Sequence, residues 1–270
     1  MSVKKNIIWN LSGQGASKVI NLIILTVLAR ILAKSEYGLF SLVSLVVGFS
    51  AFFSDFGIGT ALVQSRAKID EVCSSAFFMN LLLSCFMTLL ICIAAPISAE
   101  FYSQPELLNL TLVMAVAFFL KNISIIHESF MKKQMSFKPL QFVRFFSVVL
   151  YGLCSVSMAY SGYGVWSLVI GALIRNIFIL FATILIAKMP LHLSLYPAHW
   201  KTLYDFSKFV IVSTVLWYFL MNADQFIVGK VFGIEAIAEY TLGISYSMVI
   251  PGVIGLAFYE VLLADFSKNQ

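Results

Sequence analysis

Two long stretches without a charged residue constrain this chain more than any other feature of its sequence. No Asp, Glu, Lys or Arg occurs between Glu71 and Glu100, or in the thirty residues between Arg144 and Arg175. Each stretch is long enough to cross about 30 Å of hydrocarbon as a helix, whereas barrel strands would alternate apolar and polar residues. With 60% hydrophobic and only 11% charged residues, the chain is predicted to be an all-α integral membrane protein.

The apolar runs and the breaks between them predict about eight transmembrane helices. Their approximate bounds are 10–32, 37–63, 73–98, 107–130, 139–160, 164–187, 203–230 and 236–263. Pro96 and Pro105 flank one break, and Ser161-Gly162-Tyr163-Gly164 is predicted to form a tight turn. The first span carries Lys18 and lacks a clear small-residue cleavage site, so it is interpreted as a retained helix and not a signal peptide.

A weak internal repeat divides these spans into two groups. Glu36-Tyr37-Gly38-Leu39 aligns with Glu239-Tyr240-Thr241-Leu242 at an offset of 203 residues, which also places Asn21 on Asp224. Parallel repeats of about six helices are typical of transporters. We therefore predict a six-helix lobe over residues 1–200. Residues 201–270 would supply the first two helices of a second, parallel-repeated lobe.

The distribution of Lys and Arg predicts the orientation in the membrane. With the N-terminus inside, twelve of these residues fall in inner segments and only Arg30, Lys34 and Lys230 in outer ones. The positive-inside rule then places both termini in the cytoplasm. The net charge of +5 comes largely from this bias. No basic run with interleaved aromatic residues indicates nucleic-acid binding.

Basic residues within the spans are the candidate binding groups. A charge at the bilayer centre costs about 2.5–3.5 kcal/mol, so such a residue should face protein or water. Arg175 is expected near the centre of the sixth span and Lys121 past the middle of the fourth. Lys18 and Asp55 are expected at one depth, where an ion pair is the structural alternative to a substrate role. A cavity lined this way would attract a phosphate or diphosphate. Arg144 is expected to be an anchor at the membrane interface.

The acids within the spans, Asp55 and Asp224, are candidates for ion coupling or for structural pairing. Asp224 could bind H⁺ or Na⁺, or cap a broken helix. No spacing of His, Cys or carboxylates indicates a metal site. The sequence also lacks GxSxG and HExxH motifs, so no catalytic residue and no cofactor is predicted. An intramembrane transferase using Asp55, His127 and Asp224 is the enzymatic alternative.

A series of short motifs follows the chain from its first span to its seventh. They are Asn10-Leu11 with Gly15, Leu28-Ala29-Arg30-Ile31-Leu32, Glu36-Tyr37-Gly38-Leu39-Phe40, Asp55-Phe56-Gly57-Ile58-Gly59, Ala61-Leu62-Val63-Gln64, Gly162-Tyr163-Gly164-Val165-Trp166-Ser167-Leu168-Val169 and Asn222-Ala223-Asp224. In this order the motifs resemble the bacterial oligosaccharide flippase family, the exporters of O-antigen, colanic acid and capsule repeat units. That family is the polysaccharide transporter branch of the multidrug, oligosaccharidyl-lipid and polysaccharide exporter superfamily.

The resemblance implies two six-helix lobes around a central cavity in the bacterial inner membrane. Undecaprenyl-diphosphate-linked oligosaccharides would cross there by alternating access, with Lys18, Lys121 and Arg175 receiving the diphosphate and sugars. Coupling to H⁺ or Na⁺ would use Asp55 or Asp224. The implied partners are the lipid-linked oligosaccharide, membrane lipids, and polysaccharide polymerase and chain-length proteins. Family members usually continue to twelve or more helices, so this chain is expected to be truncated at its C-terminus.

Two other functions stay open at this stage. A multidrug or peptidoglycan-precursor exporter of the same superfamily would share the fold but would line its cavity differently, with more acids where cationic drugs bind. A non-transporting scaffold in a polysaccharide assembly complex would tolerate alanine at Lys18, Asp55 and Arg175.

Overall fold

The computed structural model describes residues 3–53, 58–64, 69–190 and 216–248, which are helical apart from short connections. The helices are α1 (Val3–Ile31), α2 (Lys34–Phe53), α3 (Ile58–Gln64), α4 (Ile69–Phe101), α5 (Glu106–Lys133), α6 (Phe137–Tyr160), α7 (Trp166–Ala187), α8 (216–231) and α9 (Ile234–Ser247). The described ranges contain no strand. The predicted all-α class is confirmed.

Five helices are long and apolar enough to cross a membrane. They are Gly13–Ile31 within α1, Cys73–Phe101 within α4, and the whole of α5, α6 and α7. These correspond to the first, third, fourth, fifth and sixth predicted spans, and they make the chain a multi-pass membrane protein. The other three predicted spans each include residues outside the described ranges, so the count of eight and the two-lobe boundary at residue 200 stay predictions.

The break predicted between Pro96 and Pro105 is present and covers residues 102–105. Pro96 is inside α4, which ends at Phe101, and Pro105 is the N-cap of α5. A proline removes one backbone hydrogen bond from a helix, but neighbouring helices and polar side chains allow prolines within membrane helices. One turn of α4 around this proline is supported by Ser98, whose Oγ donates to the Ala95 carbonyl at 2.9 Å.

The tight turn predicted between the fifth and sixth spans is confirmed. It joins the end of α6 to the start of α7, and Gly162 and Gly164 have φ angles of 82° and 54°. These left-handed conformations strain residues with a side chain. A side chain at Gly164 would also collide with Glu36, because a Cβ there would lie 2.3 Å from Oε1 of Glu36.

The membrane-length helices pack in the order α4, α5, α7, α6, α1. Within this row α7 packs extensively against both α5 and α6, which contact each other much less. Small residues bring the helices close together. A Cβ on Gly152 of α6 would lie 2.5 Å from Ile24 of α1, and one on Gly171 of α7 would lie 2.0 Å from Oγ of Ser155. α7 therefore separates two helices that are consecutive in the sequence.

α2 connects this row to α8 and α9. α2 packs against α4, α5 and α9, and its Ser41 Oγ lies 2.8 Å from Oγ1 of Thr241. From α8, the buried Tyr218 donates its hydroxyl to the Leu45 carbonyl at 2.5 Å.

The first residue of α2 forms an ion pair with α9. Lys34 Nζ donates to Oε1 of Glu239 at 2.6 Å, and this hydrogen bond raises the pKa of Lys34. Because both side chains are more than half exposed, the pair contributes little to stability.

Candidate functional site

Three basic side chains from three helices lie within electrostatic reach of one another. They are Lys121 of α5, Arg144 of α6 and Arg175 of α7. α7 packs against both α5 and α6, so these three residues come from neighbouring helices. We call the region around their side chains the cationic groove. It brings together two of the three basic residues predicted to bind substrate.

Glu128 is the partner of Arg144 across this groove. Nε and Nη2 of Arg144 both donate to Oε2 of Glu128, the Nε contact measuring 3.2 Å. The Glu128 side chain is 14% exposed and that of Arg144 33%. Arg144 is thus paired within the protein, seven residues into α6, and its role as an anchor at the membrane interface stays a prediction.

Within the described part of the chain, the other two cations have no such partner. Among the described residues, Lys121 takes part in neither a salt bridge nor a hydrogen bond of its ammonium group, although it interacts electrostatically with Glu128. Nε of Arg175 is buried and has no hydrogen-bond partner in the described part of the chain. Buried polar groups in proteins are normally hydrogen-bonded, so Nε of Arg175 is a donor that the described residues leave unsatisfied, whereas the Lys121 side chain is exposed.

Polar side chains extend from the cationic groove along α6. Ser147 and Tyr151 follow Arg144 at helical spacing, and Tyr151 interacts electrostatically with Arg175. On α5, Ser124 lies between Lys121 and Glu128, and its Oγ donates to the Lys121 carbonyl at 2.6 Å. The groove therefore has polar side chains in addition to its three cations and Glu128.

Lys18 lies on α1, at the far end of the row from α5. Lys18 and Asn21 are exposed, and the nearby Ser17 Oγ is buried without a partner among the described residues. Asp55, the expected partner of Lys18, lies outside the described residues. The Lys18–Asp55 ion pair and the role of Asp55 in ion coupling stay predictions.

Asp224 is exposed on α8 and has hydrogen bonds to both carboxylate oxygens. The Tyr240 hydroxyl of α9 donates to Oδ2, and the backbone N–H of Gln225 donates to Oδ1 at 2.8 Å. Gln225 also donates to Asn222 at 3.2 Å. Asn222 and Gln225 line a polar cavity of about 340 Å³ between α2, α8 and α9. Ion coupling through Asp224 stays a prediction.

A larger cavity lies at the connections between helices. It has a volume of about 540 Å³, and its lining includes Glu36, Glu106 and the turn 162–166 but no Lys or Arg. Two carboxylates without a cation do not suit an anionic ligand, so the cationic groove is the better anion site.

Among the described residues, His127 and the cysteines do not form a recognisable catalytic or metal-binding group. His127 is buried on α5, its Nδ1 lies 3.2 Å from the Ile123 carbonyl, and its ring meets Phe77 edge to face. The described residues contain no group of three His, Cys, Asp or Glu side chains that could hold a metal ion.

These observations define the class as a multi-pass α-helical membrane protein with a cationic groove between its spans. A more specific assignment comes from comparison with known proteins. The chain belongs to the family described as polysaccharide biosynthesis protein, whose match covers residues 27–270. The family predicted from the sequence motifs is confirmed.

Three of the curated proteins that the chain resembles are described as biosynthesis or biosynthesis transport proteins. The teichuronic acid biosynthesis protein TuaB of Bacillus subtilis (strain 168) is 22% identical over 236 residues, covering 82% of this chain and 46% of that protein. The succinoglycan biosynthesis transport protein ExoT of Rhizobium meliloti (strain 1021) is 26% identical over 178 residues, 64% of this chain and 36% of that protein. The lipopolysaccharide biosynthesis protein WzxC of Escherichia coli (strain K12) is 20% identical over 255 residues, 93% and 51% respectively.

The chain thus spans about half or less of the length of the curated relatives it matches. A solved structure shares its fold. This is a transporter of the MOP superfamily from Pyrococcus furiosus, with a TM-score of 0.63 and 15% identity over 94% of this chain and 62% of that one.

Proposed function

We propose that this chain belongs to a flippase that moves undecaprenyl-diphosphate-linked oligosaccharide repeat units across the bacterial inner membrane. Transport would proceed by alternating access and supply the synthesis of O-antigen, colanic acid or capsule. The observation that carries the proposal is the pair of cations, Lys121 and Arg175, that the described residues leave without a salt bridge inside membrane-spanning helices. Family membership and the relatives named above support the same substrate class.

The physical reason is the cost of charge at membrane depth. An unpaired Lys or Arg at the centre of a membrane helix is unfavourable by several kcal/mol, and such residues mark substrate pathways. A diphosphate that links a lipid to a sugar carries one negative charge on each phosphate, so two cations match it. Arg175 supplies a planar fork suited to phosphate oxygens and Lys121 a compact charge.

Other parts of the proposal rest on position. Lys18, on the exposed polar face of α1, is proposed to contact the same substrate, with Asp55 and Asp224 coupling transport to H⁺ or Na⁺. Both termini are proposed to lie in the cytoplasm. Partners would include membrane lipids and the polymerase and chain-length proteins that use the exported unit. No cofactor is proposed.

Complementation tests this function. The chain would be expressed in a cell lacking its own repeat-unit flippase, and surface polysaccharide would be measured at matched membrane abundance. Arg175→Ala and Lys121→Ala are each expected to lower export about tenfold or more, since each removes a charge-assisted contact of about 1.5–3 kcal/mol. Lys34→Ala is the matched control, because Lys34 is an exposed cation at the start of α2, outside the groove.

The outcomes separate the alternatives. Normal export by both groove variants would contradict a substrate role and favour the scaffold. Unchanged polysaccharide with altered resistance to cationic drugs would favour a multidrug exporter.

A further inference from the structure

We infer, on the basis of the proposed function, that Glu128 is an internal counter-ion that competes with the phosphate of the substrate for Arg144. The substrate would bind by exchange. Arg144 leaves Glu128 for a phosphate oxygen when the diphosphate enters the cationic groove, and it returns to Glu128 when the substrate departs. Glu128 is thus a positioning residue, because it acts on substrate binding through Arg144.

The geometry of the ion pair is the first support. Nε and Nη2 form one edge of the Arg144 guanidinium, and both donate to the same oxygen, Oε2 of Glu128. This edge offers two parallel N–H donors, the fork with which a guanidinium binds two phosphate oxygens. A phosphate and Glu128 therefore cannot both bind this edge of Arg144 at the same time.

The position of the pair is the second support. α5 and α6 contact each other little, and the Arg144–Glu128 pair bridges them beside α7. Arg175 of α7 lies within electrostatic reach of both Glu128 and Arg144. A phosphate bound at Arg175 would consequently repel the Glu128 carboxylate and attract Arg144. With a third of its side chain exposed, Arg144 is accessible to such a ligand.

The charge balance is the third support. The cationic groove has three cations and Glu128 as the acid that faces them from the described helices, an excess of two positive charges. A lipid-linked diphosphate brings two negative charges. Exchange keeps Arg144 paired before, during and after binding, so no step leaves a half-buried guanidinium without an anion. A neutral lipid would not displace Glu128, and this makes the exchange selective for anions.

A purely structural role for the pair makes the opposite prediction. If Glu128 and Arg144 only join α5 to α6, removing the Glu128 charge loosens the groove and weakens binding. If Glu128 competes with the ligand, removing its charge frees Arg144 and tightens binding. The sign of the change in affinity therefore separates the two roles.

The experiment measures binding to the purified 270-residue chain in detergent. Farnesyl diphosphate is the probe, and farnesol controls for binding of the isoprenyl tail. Glu128→Gln is expected to tighten binding about tenfold, because one more charge-assisted hydrogen-bond donor becomes available. Arg144→Gln is expected to weaken binding by a similar factor. The double variant should bind about as weakly as Arg144→Gln, because Glu128 acts on binding only through Arg144; this departure from the sum of the two single effects is the non-additivity that direct competition produces.

Two further measurements complete the test. Glu106→Gln is the matched control, since Glu106 is an exposed acid in the first turn of the same helix, and it should leave the dissociation constant unchanged. In the complementation assay, Glu128→Gln should lower export despite tighter binding, because the return of Arg144 to Glu128 no longer assists release. If Glu128→Gln does not fold, Glu128→Asp retains the charge but reaches less far, and it should tighten binding by a smaller factor.

Two outcomes would contradict the counter-ion inference, and they differ in what they imply for the proposed function. Unchanged or weaker binding by the Glu128 variants, together with a loss of affinity in Arg175→Ala, would overturn the counter-ion inference and leave the proposed function standing. Failure of the unaltered chain to bind farnesyl diphosphate more tightly than farnesol would overturn both.

Discussion

Gly38 of α2 lies against Ile234 at the start of α9, and adding one methyl group there should separate the two helices. A Cβ on Gly38 would lie 2.1 Å from the backbone carbonyl oxygen of Ile234 and 2.5 Å from its Cγ2. Ordinary contact begins at 3.4 Å, so the backbone must move by about 1.3 Å, the difference between 3.4 and 2.1 Å. No change of side-chain rotamer can relieve a contact with a backbone oxygen.

The free energy of this change has two opposing parts. Overpacking of a well-packed interior costs typically about 1–3 kcal/mol. Alanine in place of glycine in a helix recovers up to about 1 kcal/mol. We expect Gly38→Ala to lower the free energy of unfolding by about 1–2 kcal/mol, which corresponds to a Tm lower by roughly 2–8 °C for a chain of this size.

A cross-link between α2 and α9 provides the assay. The hydroxyl oxygens of Ser41 and Thr241 lie 2.8 Å apart, so cysteines at both positions, in a chain whose four native cysteines are replaced, should form a disulfide rapidly under mild oxidation. Gly38→Ala should slow this reaction several-fold. Gly243→Ala is the control on α9, because a Cβ there meets no atom within 4 Å. Equal cross-linking rates and equal Tm values for the two variants would refute the reasoning.

Two further predictions concern buried polar groups. Both polar side-chain atoms of the buried Asn122 lack a partner among the described residues, so Asn122→Leu should keep or raise the Tm. Asn80→Leu removes a 2.7 Å hydrogen bond to the Asn122 carbonyl and should cost about 1 kcal/mol; the reverse order of the two melting temperatures would contradict this account. Tyr218→Phe removes the 2.5 Å bond to Leu45 and should also cost about 1 kcal/mol by thermal unfolding, with the exposed Tyr246→Phe as a milder control.

Much of the helical fold could be predicted from the sequence, because a membrane imposes length and polarity on each span. The charge-free stretches predicted the bounds of α4, α6 and α7 to within a few residues. The glycines at 162 and 164 predicted the turn before α7. The end of α4 was wrong by a few residues, since a proline weakens a helix without ending it when surrounding helices support the backbone.

The pairing of charges could not be predicted in the same way. Lys121 and Glu128 are seven residues apart in α5, so helical spacing puts them on one face, but it does not reveal which neighbour that face meets. Short connections favour contact between consecutive helices, whereas here α7 separates α5 from α6. The Arg144–Glu128 pair therefore depends on packing order, and only the structure could give it.

The packing of α1 against α6 also has a consequence for the time course of assembly. α1 ends at Ile31 and α6 begins at Phe137, so roughly a hundred residues are synthesised before the main partner of α1 exists. At about 5–20 residues per second this interval lasts on the order of 5–20 s. α1 is also the least apolar of the five membrane-length helices, with Lys18 and Asn21 exposed. During those seconds the insertion machinery or surrounding headgroups must solvate its polar face, and a delay in α6 would leave α1 open to extraction from the membrane.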